Sequence, residues 1–248
     1  MALSFNGSTQ YLKVVGVGNL AYPLTFSAWV VIDTDSGTGT WLFIYRASDG
    51  SVIGLDYQGS TDRWEAIGRT TAGAYLNASY DESAPTGKLV HLCAVYTSST
   101  ARQIYVNAVA GTANTLEVVL GGTKDALYAA ASWVPGGFFA GRMFDLAIWS
   151  AALSSTEIEQ LKNRVSPLLV RPNSLSYYWP LYGRQSVETD VIQGLQWAHY
   201  GTPPQADNFT SIIQPSRPKI VIPPAVVGHP ARKRMAGVPF ASPLPRIW

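Results

Sequence analysis

Three histidines, one cysteine and sixteen carboxylates are the groups of this 248-residue chain that could do metal, nucleophilic or acid–base chemistry. Their spacing limits what they can be asked to do. His91, His199 and His229 stand far apart and share no metal-ligand spacing. His91 alternates with Cys93 and Val95 along an apolar stretch, which reads as a packing histidine held by a hydrogen bond. Cys93 has no basic neighbour to lower its pKa and reads as a buried structural thiol. As the only cysteine it closes no internal disulfide and builds no cysteine zinc cluster.

The carboxylates are just as sparse in pattern. Asp33-Thr34-Asp35-Ser36-Gly37 looks like the opening of a calcium loop, but its glycine comes one position early and Ile44 stands where the closing glutamate belongs. Retaining glycoside hydrolysis needs two carboxyl groups ~5 Å apart, and no E-x-D-x-E run alternates them along one strand. Glu188-Thr189-Asp190 is a fragment of such a pattern and reads as a solvated loop. Gly16-Val17-Gly18 lacks the following glycine and helix that would cradle a phosphate. The expectation is a non-enzymatic protein without a cofactor.

Aromatic side chains remain, with 8 Trp and 13 Tyr in the chain. Trp64, Tyr75 and Trp133, with Tyr57 and Tyr80 beside them, are the candidates for exposed rings that stack on sugars. Burial in the core or at subunit contacts explains aromatics equally well.

The elements that must position these residues are short strands cut by turns. LTFSAWVVI at 24–32 is apolar on both faces, and stretches at 41–46, 52–57, 63–69, 88–97, 102–111 and 142–150 repeat its style. Asp35-Ser36-Gly37, Asp49-Gly50, Gly121-Gly122 and Pro135-Gly136-Gly137 supply turns between them. This pattern predicts an all-β chain of two antiparallel sheets packed face to face. One helix is expected at about 154–165, opened by the S-x-x-E box of Ser154 and Glu157 and stopped by Pro167. Residues 170–202 form an appendix with two further strands, at 177–183 and 194–201.

Composition sets the outer bounds. Charged residues are 14% of the chain against ~25% in an average globular protein, and 47% are hydrophobic, which supports a real core. No apolar run approaches the ~20 residues that would cross a bilayer, so no membrane partner is expected. Residues 1–30 are broken by Asn6, Gln10 and Lys13, and no secretory signal is visible in them.

Charge is unevenly spread. Residues 203–248 hold six bases against Asp207 alone, so this segment carries +5 and leaves −3 for the rest of a chain whose total is +2. It also holds ten of the 16 prolines, which excludes regular helix and disfavours central strand. A segment of this kind cannot make its own core and is expected to lie on something, either its own body or a neighbouring subunit. Arg232, Lys233, Arg234, Phe240 and Trp248 are its candidate partner contacts. Three clustered charges are a thin footprint for nucleic acid and fit acidic groups of a protein partner better.

Four stretches together resemble the laminin-G-like branch of the concanavalin A-like jelly-roll superfamily: LSFNGSTQYLKV at 3–14, LTFSAWVVID at 24–33, GKLVHLCAVYTSSTARQIYVNAVAG at 87–111 and FFAGRMFDLAIWSAALSSTEIEQL at 138–161. The last is the most specific, ending in the short E-I-x-x-L helix common in that family. The resemblance covers residues 3–183 and implies a β-sandwich body, residues 1–202, with a Pro-rich C-terminal arm from 203 to 248 outside it. Trp29, Trp149, Leu3 and Phe5 are fold residues in such a body. The calcium of many relatives is weakly implied, because Asn6-Gly7 and Asn107-Ala108 stand where Asp-Gly turns are frequent.

Similar jelly rolls occur among bacteriophage virion proteins. The resemblance thus implies a capsid decoration or cement protein: assembled in the host cytoplasm, placed on the capsid surface as a homo-oligomer (a trimer favoured), and anchored to the major capsid protein or another virion protein through its arm. The alternative it implies is a lectin-like glycan-binding module of a virion fibre or cell-surface assembly.

Overall fold

The structure is a computed structural model and describes residues 2–206 apart from 36, 38, 123, 135 and 183–186. The chain divides into two units at 215/216, and everything described belongs to the first. Arg232, Lys233, Arg234, Phe240 and Trp248 lie outside the described residues.

Fifteen strands appear among the described residues: β1 (Ala2–Asn6), β2 (Tyr11–Val15), β3 (Leu24–Ile32), β4 (Gly39–Ala47), β5 (Val52–Gln58), β6 (Arg63–Arg69), β7 (Ala78–Asp81), β8 (Leu89–Ser98), β9 (Ala101–Val106), β10 (Val109–Ala110), β11 (Lys124–Ala129), β12 (Ala140–Trp149), β13 (Leu175–Trp179), β14 (Ala198–Tyr200) and β15 (Gln205–Ala206). They form two antiparallel sheets. The first runs β10-β9-β8-β3-β12-β1-β15 with β13 also paired to β12, and the second runs β14-β2-β11-β4-β5-β6-β7. The all-β sandwich with one short helix is therefore present as expected.

Between the sheets lies a continuous apolar core. Phe26 of the first sheet meets Phe43 of the second edge-on at 5.4 Å, and Trp179 and Trp197 close the layer 5.1 Å from each other. Tyr96 carries its hydroxyl across this core to the Ile67 carbonyl at 2.7 Å, so a polar group buried deep in the sandwich is satisfied. β3 is buried along all nine residues because its second face is covered too. That cover is helix α1 (Ser155–Lys162), which packs Ile158 and Leu161 on Trp149, Val170 and Tyr178.

The helix forms where its local code says. Ser154 Oγ accepts the Glu157 backbone N–H while the Glu157 carboxylate accepts the Ser154 N–H at 2.7 Å. Arg171 then clamps the same carboxylate, with Nε and Nη2 donating at 2.8 and 2.7 Å, and pins the following loop to the helix. α1 stops at Lys162, short of 165, because Asn163 caps it and Arg164 turns left-handed at φ 68°.

The stretch 102–111 is a hairpin with its turn where the resemblance puts it: Asn107 and Ala108 take φ of 49° and 68° between β9 and β10. One expectation is corrected. Glu188 and Asp190 are buried at 6% and 2% exposure, where the reading was a solvated loop. Asp190 joins that loop to β13 by accepting the Tyr178 N–H at 2.6 Å and the Gln193 N–H at 2.5 Å. Gln205–Ala206 pairs with β1, so sheet pairing continues past Thr202.

Candidate functional site

Strand alternation decides which side chains leave the sandwich on the open side of the second sheet. Across β4, β5, β6 and β7 the register places Trp41 beside Asp56, Asp56 beside Glu65, and Glu65 beside Ser79. These residues, with Gln58, Arg63, Tyr75 and Asn77, line a groove of about 870 Å³.

An aromatic ridge forms one wall. Trp41 sets its ring edge-on to Trp133 at 5.2 Å, and Tyr75 lies 6.3 Å from Trp41 and is 51% exposed. The ridge roofs a small apolar layer of Ile44, Val52, Ile67, Ala126 and Tyr128. Arg69 braces it, its guanidinium 5.2 Å from the Trp133 ring and 5.7 Å from Tyr75, while Nη1 donates to the Gly50 carbonyl at 2.6 Å.

The floor is polar. Asp56 Oδ1 accepts the Tyr57 N–H at 2.7 Å, and Glu65 Oε2 accepts from Asn77 Nδ2 at 2.5 Å. Asn77 cannot flip, since its Oδ1 accepts the Gly68 N–H at 3.0 Å. Asn114 supports this corner by donating to the Asn77 carbonyl at 3.1 Å while accepting from Arg102. Among the described residues Gln58 Oε1 finds no partner, and Gly39 leaves room for it, because a Cβ there would stand 2.7 Å from that oxygen. Burial, and then repulsion from Glu65, push the Asp56 carboxyl well above the usual carboxylate range. Burial likewise raises Glu65 against the opposing pull of Asn77 and Arg63.

Of the three stacking candidates, the structure brings Tyr75 and Trp133 together around Trp41. Trp64 is corrected: it is 1% exposed and packs on Tyr57 at 4.7 Å inside the sandwich. Alternation is the reason, for Arg63 and Glu65 point outward and Trp64 between them points inward. Tyr57 is buried as well, and Tyr80 packs against the core. Trp41 and the Asp56–Glu65 pair are not among the sequence candidates, because these carboxylates meet across two strands and not along one.

The other candidates are structural. His91 is buried, its Nε2 2.9 Å from Ser27 Oγ, and burial holds its imidazole down near 3. Asp145 lies in the same buried pocket, which is too tight for a water molecule, and burial lifts its carboxyl to about 7 despite the Tyr178 hydroxyl. Burial also pushes the Cys93 thiol up, away from reactivity. The calcium-loop look-alike does not fit a cation: Asp33 is bound to Arg142 at 2.6 Å, and Asp35 accepts from the Gly37 N–H and the Tyr57 hydroxyl. Among the described residues no group of three or more His, Cys, Asp or Glu could hold a metal, and no helix is long and apolar enough to cross a membrane.

A profile of the Concanavalin A-like lectin/glucanases superfamily matches residues 6–159. No curated protein sequence matches the chain. Among solved structures, a candidate carbohydrate-binding protein from Bacteroides ovatus is similar at TM-score 0.60 and 18% identity, over 80% of this chain and 57% of that one. Domain 4 of an extracellular arabinanase from Geobacillus stearothermophilus, solved with arabinotriose, is similar at 0.54 and 22%, over 65% of this chain and 76% of that one. A heptameric SAP-like pentraxin from Limulus polyphemus follows at 0.52 and 16%, over 67% and 83%.

Proposed function

The chain belongs to the concanavalin A-like lectin/glucanases superfamily, and from that premise we propose that it is a glycan-binding module that holds a sugar chain in the groove beside Trp41 without cleaving it. The observation that carries this reading is the partly exposed ridge of Trp41, Tyr75 and Trp133 beside a floor of fixed hydrogen-bonding groups. Sugars present apolar C–H faces and polar rims, and a site for them needs both kinds of surface at once. Two of the similar folds are described as binding carbohydrate or were solved with it, which agrees with the reading.

Binding without cleavage is the part of this reading that rests on the sequence, where no E-x-D-x-E run alternates carboxyl groups along one strand; hydrolysis of a bound glycan in the assays below would overturn it. The test is calorimetry and a glycan array with the Trp41→Ala and Tyr75→Ala variants. Loss of a central aromatic anchor is expected to weaken binding by about tenfold or more. Unchanged binding in both variants overturns the assignment of the groove.

A place on a virion, as decoration protein or fibre module, is a second reading favoured by the +5 charge and ten prolines of residues 203–248. Light scattering of the full chain and of a chain ending at Ala206, each with and without capsid shells, tests it. An arm that anchors makes only the full chain trimeric or shell-bound; two identical monomers that ignore shells overturn this reading and leave the groove untouched.

A further inference from the structure

Stacking on sugars does not account for two carboxyl groups set side by side in the groove floor. Asp56 and Glu65 are directly opposite in the β5–β6 register, which puts their Cβ atoms ~4.5–5.5 Å apart on one face. Asp56 lines the groove at 5% exposure, and among the described residues its one hydrogen bond is the Tyr57 N–H that Oδ1 accepts, so Oδ2 has no partner there. Asn77 takes Glu65 Oε2 and leaves Oε1 equally unclaimed.

The surrounding charges do not neutralise the pair. On β6, Arg63 is bound to Asp81 of β7 at 2.8 Å. From β9, Arg102 spends its guanidinium on the Leu76 and Leu116 carbonyls and on Asn114. Arg69 and Arg46 lie against the aromatic ridge. β4 and β5 add only the uncharged Trp41 and Gln58, and the loop before β7 adds Tyr75 and Asn77. Two like charges in so poorly solvated a place do not both persist, and a proton taken up by one is shared with the other.

We propose that Asp56 and Glu65 hold one proton between them and donate it as a hydrogen bond to an oxygen of the bound sugar, so that glycan binding is gated by pH. This rests on the glycan-binding reading above. The protonated pair offers a donor and an acceptor together, matching a sugar hydroxyl and its neighbour; the doubly ionised pair offers acceptors only. Raised carboxyl groups lose their proton as pH climbs, so binding is strong in acid and falls toward alkaline pH. Asp56→Asn carries a permanent donor and removes the dependence.

The experiment uses the full chain on a printed array of natural glycans at pH 4.5 and pH 8, beside Asp56→Asn, Glu65→Gln and Trp41→Ala, with circular dichroism to confirm folding. Carbon-13 NMR of the two carboxyl groups follows the proton directly. The expected result is at least tenfold weaker binding at pH 8, near-equal binding at both values for Asp56→Asn or Glu65→Gln, and coupled carboxyl titrations above the ordinary range. Equal binding at both pH values with Trp41→Ala still abolishing it, or two independent titrations in the ordinary range, overturns the proton and leaves the glycan reading standing. No glycan bound at either pH overturns both.

Discussion

The two sheets of this sandwich treat their outer faces in opposite ways. The first sheet covers its face with α1 and the loop after it, burying Trp149, Cys93 and Val95 and closing His91 and Asp145 into a space too small for a water molecule. The second leaves its face open, with Trp41 and Tyr75 partly exposed and Asp56 and Glu65 facing a groove of about 870 Å³. Both faces carry aromatics and raised carboxyl groups. What separates them is access: Asp145 and His91 sit in a pocket too tight for a water molecule, while Asp56 and Gln58 line the groove. Residues of the same kinds thus pack one face and, under the proposed function, serve recognition on the other.

This contrast breaks first at the two tryptophans. Trp149 is fully buried and donates from Nε1 to the Val170 carbonyl at 2.8 Å, so Trp149→Ala is expected to lower unfolding free energy by about 3–5 kcal/mol in urea titration. Trp41→Ala should cost less than about 1.5 kcal/mol in the same titration yet remove glycan binding. Equal stability losses would erase the distinction between the faces.

The pH dependence sharpens it next. Asp145 is raised from 3.8 to about 7, so its folded form holds the proton more tightly and its contribution to stability is lost as pH rises through about 7. His91 is lowered from 6.5 to about 3, so the unfolded chain binds its proton more tightly and stability rises with pH up to 6.5. The two slopes oppose each other between pH 4 and 6.5. Asp145→Asn leaves the rising slope alone, about 3 kcal/mol over that window, and His91→Gln leaves the falling one. Urea midpoints at half-unit steps of pH check both, and a flat profile in either variant would count against these titrations. On these expectations the covered face sets stability against pH, while the open face sets the proposed glycan binding.

The smallest effect lies at the start of the cover. Ser154→Ala removes one half of the capping box, at a cost of about 1 kcal/mol and with faster amide exchange confined to α1. Exchange rising equally over β4–β6 would show that the helix supports both sheets.

α1 was readable because its code is local. Ser154 and Glu157 are three residues apart, and nothing distant is needed to predict their exchange of hydrogen bonds. The buried character of β3, Trp149 and Cys93 was readable for the same reason, since apolar runs announce burial wherever they lie. Trp64 and Tyr57 misled because a turn-rich neighbourhood says little about which face of a strand a ring takes. Trp41, Asp56 and Glu65 stayed hidden because their meeting depends on the register between three strands.

By itself, then, the sequence determined the strands, their turns, the capped helix and the two-layer class, all of which follow from interactions spanning a few residues or from the period of two that pleating imposes. Only the tertiary structure decided which outer face would be covered and which left open. That choice is made when the segment from Ser150 to Ser174 folds back over the first sheet, held by the pairing of β13 with β12, and when pairing brings Asp56 and Glu65 opposite each other, and both are properties of distant contacts that no local pattern encodes.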